Sequence, residues 1–118
     1  MKKKVYILED DPDLRDILAH VLGKEYEIGM SEELDVSDVV VFQPDLILMD
    51  HGIGNSTSEQ NIRSLKNNIP GFGIPIILFS GHPDISRLAI DPLVAGIIRK
   101  PAGISEVRAH LESFFSTQ

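Results

Sequence analysis

Five short apolar runs recur along the chain, and their spacing constrains the fold more than any other feature. They are Val5–Leu8, Tyr26–Ile28, Leu46–Met49, Ile74–Phe79 and Gly96–Ile98. Their residues are apolar or β-branched toward both sides of the chain, the pattern of strands covered on both faces. Between the runs the period changes to that of a helix. Leu14, Ile17, Leu18, Val21 and Leu22 fall at i, i+3, i+4, i+7 and i+8, with Gly23 as a stop. Ile104, Val107, Arg108, Leu111, Phe114 and Phe115 repeat that spacing near the C-terminus. Ser56-Thr57-Ser58-Glu59 reads as a capping box opening a helix through Ile62 and Leu65 toward Ile69, closed by Pro70-Gly71. The segment Ser31–Phe42 offers Leu34, Val39, Val40 and Phe42 as a core face, and Pro83–Ile90 has room for two helical turns before Asp91-Pro92.

Strand followed by helix, five times over, requires parallel strands, because parallel neighbours need a crossover connection. Right-handed crossovers then place helices on both faces of the sheet. The expectation is a single α/β domain over residues 1–118. Its core is a five-stranded parallel doubly wound sheet of flavodoxin-like order 2-1-3-4-5, with five helices. A chain of this length buries roughly two-thirds of its unfolded surface and needs no staple. None is available, since the sequence has no cysteine for a disulfide or a thiolate metal site. Its apolar runs are far shorter than the roughly 20 residues of a membrane span. Lys2-Lys3-Lys4 precedes only a short one, so no signal peptide and no membrane contact are expected, and the cytoplasm is the expected location. With 18 acidic residues against 11 basic, the net charge is −7, which argues against a nucleic-acid partner and suits cations.

In such a sheet, ligands bind beyond the carboxyl ends of the strands, at the switch between the first and the third. Those ends read Glu9-Asp10-Asp11, Asp50, Ser80-Gly81 and Lys100-Pro101. Taken singly, each is ordinary. Asp11 before Pro12 is a helix N-cap with proline at the first helical position. Asp50 ends a strand, Ser80 is a loop residue, and Lys100 is a surface partner worth under about 1 kcal/mol. Taken together they are not ordinary, because separate strand ends present the polar groups that one phosphoryl site requires. Carboxylates converging from the first and third strands repel one another. A divalent cation relieves that repulsion, and Mg²⁺ fits oxygen-only ligands with positions left open for a phosphoryl oxygen.

With these residues the chain resembles, from end to end, the receiver domain of two-component response regulators. The resemblance rests on Glu9-Asp10-Asp11, on Leu46-Ile47-Leu48-Met49-Asp50, on Ser80 thirty residues later, and on Lys100-Pro101. It implies that Asp50 accepts a phosphoryl group from a histidine kinase, a histidine phosphotransfer protein or a small phosphodonor. It implies Mg²⁺ bound by Asp50 together with Asp10 and Asp11, one of that pair directly and the other mainly through water. The backbone carbonyl of Gly52 would complete the metal shell. Ser80 would bond a phosphoryl oxygen, and Lys100 would neutralise its charge across a Lys100–Pro101 bond that the family suggests is cis. Such a protein is a phosphoacceptor and not an enzyme on other substrates. It acts as a stand-alone regulator or phosphorelay intermediate, through a downstream protein or a homodimer on the face of the fourth helix, fifth strand and fifth helix.

Several positions depart from the family pattern. His51-Gly52-Ile53-Gly54 and Ser58 replace the usual hydrophobic-proline pair and glycine after the phosphoacceptor, implying a more flexible loop. Ile97 stands three residues before the lysine, where the family has its switch aromatic, and Pro92 interrupts the fourth helix. His51 and His82 flank the expected pocket, but no histidine pair has helical metal-ligand spacing, so oxygen ligands are expected. His20 and His110 are expected on helix faces. The alternative function is a pseudo-receiver, an interaction module independent of phosphorylation; against it stand the intact aspartates and lysine. A haloacid-dehalogenase-like phosphatase needs an aspartate two residues after the nucleophile, where this chain has Gly52. A flavin binder lacks its phosphate loop and its aromatics.

Overall fold

In a computed structural model of the chain, residues 2–53, 56–81, 91–100 and 103–116 are described. The chain runs β1 (Lys4–Leu8), α1 (Pro12–Leu22), β2 (Glu27–Ser31), α2 (Val36–Phe42), β3 (Leu46–Asp50), β4 (Gly52–Ile53), β5 (Ser56–Thr57), α3 (Ser58–Asn68), β6 (Ile76–Ser80), β7 (Val94–Arg99) and α4 (Ile104–Ser116). Five strands form one sheet in the order β2-β1-β3-β6-β7. Every neighbouring pair in it is parallel. This is the doubly wound 2-1-3-4-5 arrangement expected from the sequence.

The continuous apolar runs are explained by what covers each face. Val5, Ile7, Leu46, Leu48, Ile77, Phe79 and Ile98 pack on one side with Leu18 and Leu22 of α1 and Val107 and Leu111 of α4. Tyr6, Leu8, Ile47, Met49, Ile76 and Leu78 point the other way, onto Val39 of α2 and Ile62 and Leu65 of α3. Successive side chains of a strand alternate between faces, so two covered faces need apolar residues at every position. At about 25 cal/mol per Å² of apolar surface removed from water, this double burial dominates the stability of the domain. Gly29 of the edge strand β2 makes room for it. A side chain there would meet the rings of Tyr6 and Phe42 at 3.1 and 3.2 Å.

Local differences from the sequence reading have physical causes. The second strand starts at Glu27, because Tyr26 is buried in the preceding turn, its ring 5.5 Å from that of Phe115. Apolar character there reports burial without strand. In α2, Val39 is buried but Val40 is half exposed and Val41 almost fully so, so Val40 does not join the core face. The N-cap of α3 is Thr57, not Ser56. Its side chain accepts from Gln60 N while the Gln60 side chain accepts from Thr57 N, a reciprocal box one residue later than expected. The segment after Asp50 carries two short strands, and residues 54–55 lie outside the described residues. Its β4 and β5 pair as a small antiparallel hairpin, Gly52 opposite Thr57 and Ile53 opposite Ser56. The helix expected over 83–90, along with His82 and Pro101, lies outside the described residues, and the described residues contain four helices. No helix among them is long and apolar enough to cross a membrane.

Candidate phosphoryl and metal site

Strand register assembles the site. Leu8 pairs with Met49, which sets Glu9 beside Asp50 at the carboxyl end of the sheet. Asp50 pairs with Phe79, so Ser80 lies one step beyond, and Ser80 in turn pairs with Arg99, followed by Lys100. Parallel strands that start in step also end in step. Residues far apart in sequence therefore meet along one edge.

Glu9 is 2% exposed although it is a carboxylate. Its main chain is pinned by Glu9 N donating to Ser31 O at 3.1 Å and by Arg15 Nη1 donating to Glu9 O at 2.9 Å. Its Oε2 accepts from Asp11 N at 3.1 Å. Lys100 Nζ lies 3.4 Å from Glu9 Oε1 and 3.5 Å from Asp50 Oδ2, bridging the two acids. It also stands 4.8 Å above the Phe79 ring, a cation–π contact that steadies the long side chain. Lys100 N donates to Ser80 O at 2.9 Å, and Ser80 itself is buried.

Burial takes these acids out of water, and their pKa values respond. Burial pushes Glu9 up to about 7 from 4.5; the Asp11 amide opposes the rise, the charge of Asp50 adds to it, and Lys100 opposes it. Burial likewise raises Asp50, against the pull of Lys100. Two carboxyls this close hold a proton more readily than either would alone.

Glu9, Asp10 and Asp50 each bring an oxygen to within 4.8 Å of the others. Asp11 is outside this group. Its side chain accepts from Asp13 N at 3.0 Å and Leu14 N at 3.4 Å, capping α1 with Pro12 in the first turn. The sequence points to Asp10 and Asp11 as the acidic pair; the oxygens that lie within reach of one another belong to Glu9, Asp10 and Asp50, while Asp11 Oδ1 caps α1. The oxygen-only set of Glu9, Asp10 and Asp50 fits a small hard cation, and no described histidine joins it. Gly52, expected to lend its carbonyl, lies in β4 two residues past Asp50. His20 and His110 are exposed on α1 and α4.

Sequence reasoning left Glu9 out of the ligand set and did not anticipate a contact on the far side of Asp50. The ring of His51 hydrogen-bonds Ser58, Nδ1 to Oγ at 2.6 Å. Counting register from Leu8 would have found Glu9. The His51–Ser58 pair has no signal before the hairpin is known.

No protein-family model matches the chain. Protein-glutamate methylesterase/protein-glutamine glutaminase 1 of Syntrophus aciditrophicus is 35% identical over 82 residues, which are 65% of this chain and 23% of that protein. The chain therefore spans less than a quarter of the curated relative it matches. Among solved structures, the N-terminal domain of the nisin resistance regulator NsrR, a lantibiotic response regulator, is 26% identical with TM-score 0.79, over 96% of this chain and 97% of that one. Chemotaxis protein CheY4 of Vibrio cholerae shares the fold at TM-score 0.84 and 16% identity, over 96% and 98%. The regulatory domain of the repressor of iron transport regulator RitR does so at TM-score 0.82 and 22% identity, over 98% and 97%.

Proposed function

The chain is a receiver domain of the response-regulator type, and from that premise we propose that Asp50 is its phosphoacceptor. One observation carries the reading. A carboxylate only 12% exposed ends the central strand with Lys100 Nζ at 3.5 Å and the oxygens of Glu9 and Asp10 close by. An Asp50 oxygen attacks phosphorus, and the bond from phosphorus to the donor breaks. The donor, an acyl phosphate or a phosphohistidine, leaves with the electron pair, and an aspartyl phosphate remains. Phosphoryl transfer asks chiefly for positioning and charge neutralisation. Lys100, 3.4 Å from Glu9 and 3.5 Å from Asp50, would pair with the incoming phosphoryl group, exchanging part of its contact with Glu9 for it. Ser80, at the end of the adjacent strand, would bond a phosphoryl oxygen. Glu9, Asp10 and Asp50, with the Gly52 carbonyl, would hold Mg²⁺, which supplies neutralisation of the transferring oxygens when bound.

A histidine kinase or histidine phosphotransfer protein is the partner this chemistry implies. Output then passes to another protein or to a second copy through the side carrying β7 and α4. Ile97 in β7 is half-buried against the apolar cluster beneath α2 and α3. It has no ring to swing, so the output proposed here runs through Ser80 and backbone shifts instead. One fold relative is described as belonging to a family of redox sensors in streptococci that evolved from two-component response regulators. Thiol chemistry has no residue to act through in this chain, which has no cysteine.

The test is intact-mass spectrometry after incubation with acetyl phosphate and Mg²⁺. One labile phosphoryl adduct is expected, absent in Asp50→Asn and absent with EDTA. No adduct at any Mg²⁺ concentration, with the fold intact, leaves the pseudo-receiver reading in its place.

A further inference from the structure

The hairpin after Asp50 is tied at its open end by two hydrogen bonds between the same two residues. Ser58 N donates to His51 O at 2.6 Å, and the side chains meet at His51 Nδ1 and Ser58 Oγ, also 2.6 Å. Ser58 is fully buried and is the first residue of α3, whose cap at Thr57 closes on Gln60. His51 N in turn donates to Phe79 O at 3.3 Å, fastening the same point to β6. The junction thus joins three elements: the end of β3, the end of β6 and the start of α3.

The pairing pattern gives this tie a consequence for the site. Along an antiparallel ladder, hydrogen-bonded and non-hydrogen-bonded pairs alternate. Since Ser58 N bonds His51 O, the next pair, Gly52 opposite Thr57, is the non-hydrogen-bonded kind. Its main-chain groups turn out of the hairpin. Thr57 N follows that rule, donating to the Gln60 side chain. The Gly52 carbonyl is therefore released by the hairpin for an outside partner, two residues from Asp50. A slip of one residue at His51–Ser58 would turn it inward.

We propose that His51 and Ser58 form a latch that positions the Asp50–Gly52 backbone and so sets the divalent-cation affinity of the acidic pocket. The inference rests on the phosphoacceptor reading for its purpose, but not for its measurement. His51 and Ser58 are positioning residues. The latch keeps the Gly52 carbonyl presented, and it makes the hairpin a fixed wall of the pocket.

The experiment is an Mg²⁺ titration of the wild type, Ser58→Ala, His51→Phe and the double variant, read by calorimetry and by the backbone amide shifts of residues 50–52. Each single variant is expected to bind Mg²⁺ about 10-fold more weakly, as loss of a group that orients a ligand does. The double variant is expected to be no weaker than the weaker single one, because both break one contact. Ser58→Thr, which keeps the hydroxyl, is expected to stay closer to the wild type than Ser58→Ala. If Ser58→Ala fails to fold, half-buried His51→Phe carries the test with His51→Gln as its polar control. Wild-type Mg²⁺ affinity in the folded variants would overturn the latch, as would losses that simply add in the double variant. A wild type that binds Mg²⁺ without forming an adduct overturns the phosphoacceptor reading and leaves the latch standing. A wild type that binds no Mg²⁺ overturns both.

Discussion

Asp35 and Glu9 sit at opposite extremes for carboxylates in one small domain. Asp35 is exposed at the N-terminus of α2, accepting from Ser37 Oγ at 2.6 Å, Ser37 N at 3.0 Å and Asp38 N at 3.3 Å. Those donors, the Ser37 hydroxyl first, hold its pKa below the ordinary value. Glu9 is buried with one amide and a shared lysine, and burial pushes its pKa up to about 7. Asp11 and Asp10 repeat the contrast within two neighbouring residues, one capping a helix and the other facing the pocket. A cap carboxylate has its charge answered by the chain itself. A buried pocket carboxylate such as Glu9 has given up water, which raises its pKa, and a cation placed there would favour its charged form. Placement relative to backbone donors, not residue type, separates the two kinds.

The largest effect expected from this contrast is on pH dependence. Glu9 has a folded pKa above its unfolded value, so its contribution is fully present below about pH 4.5 and is lost as pH rises through about 7. Asp35 has the opposite sign, adding stability above its unfolded pKa and losing it as pH falls through the folded one. In EDTA, Glu9→Gln should therefore gain on the wild type between pH 4.5 and 8, by up to about 3 kcal/mol if the whole shift is realised. Urea melts of both proteins across that range measure it. A constant difference would mean that Glu9 is ionised throughout. Mg²⁺ should reverse the trend in the wild type, since a cation displaces the proton and binds better as pH rises.

Asp50→Asn comes next. Removing one of the crowded charges at nearly constant shape should stabilise the metal-free protein by on the order of 1 kcal/mol at an effective dielectric near 20. That is a rise of a few degrees in melting temperature for a domain of this size. Added Mg²⁺ should then stabilise the variant less than the wild type, because an anionic ligand has gone. Equal Mg²⁺ responses in thermal melts at fixed ionic strength would remove Asp50 from the metal set.

The smallest effects belong to the caps. Asp11→Ala should destabilise the domain by about 1 kcal/mol through the lost N-cap, and Asp11→Asn, which can still accept from the amides, by little. Neither should change Mg²⁺ affinity, whereas Asp10→Asn should weaken it with little change in the melt. Weaker Mg²⁺ binding in Asp11→Asn would move Asp11 from the cap into the pocket and erase the distinction drawn above.

Much of the molecule was determined by the sequence alone, because its signals are local. Runs such as Ile76–Phe79 are apolar at every position only if both faces are covered, and that requirement with helical crossovers leads to a parallel doubly wound sheet. Asp50, Ser80 and Lys100 follow as strand ends, and Asp11 before Pro12 already reads as a cap. Tertiary structure decided what depends on register and on competition for donors. Glu9 sits beside Asp50 because β1 pairs with β3 so that Leu8 meets Met49, while the α1 amides bond the Asp11 side chain. Tyr26 and Val40 carry the same apolar signal, yet one is buried against Phe115 and the other faces out, since neighbours and not hydropathy assign the face. The His51–Ser58 contact follows from the antiparallel pairing of β4 with β5, which brings together two polar side chains seven positions apart. Periodicity is written in the order of the residues, whereas register and the choice of partner are settled only when separate segments compete for the same space.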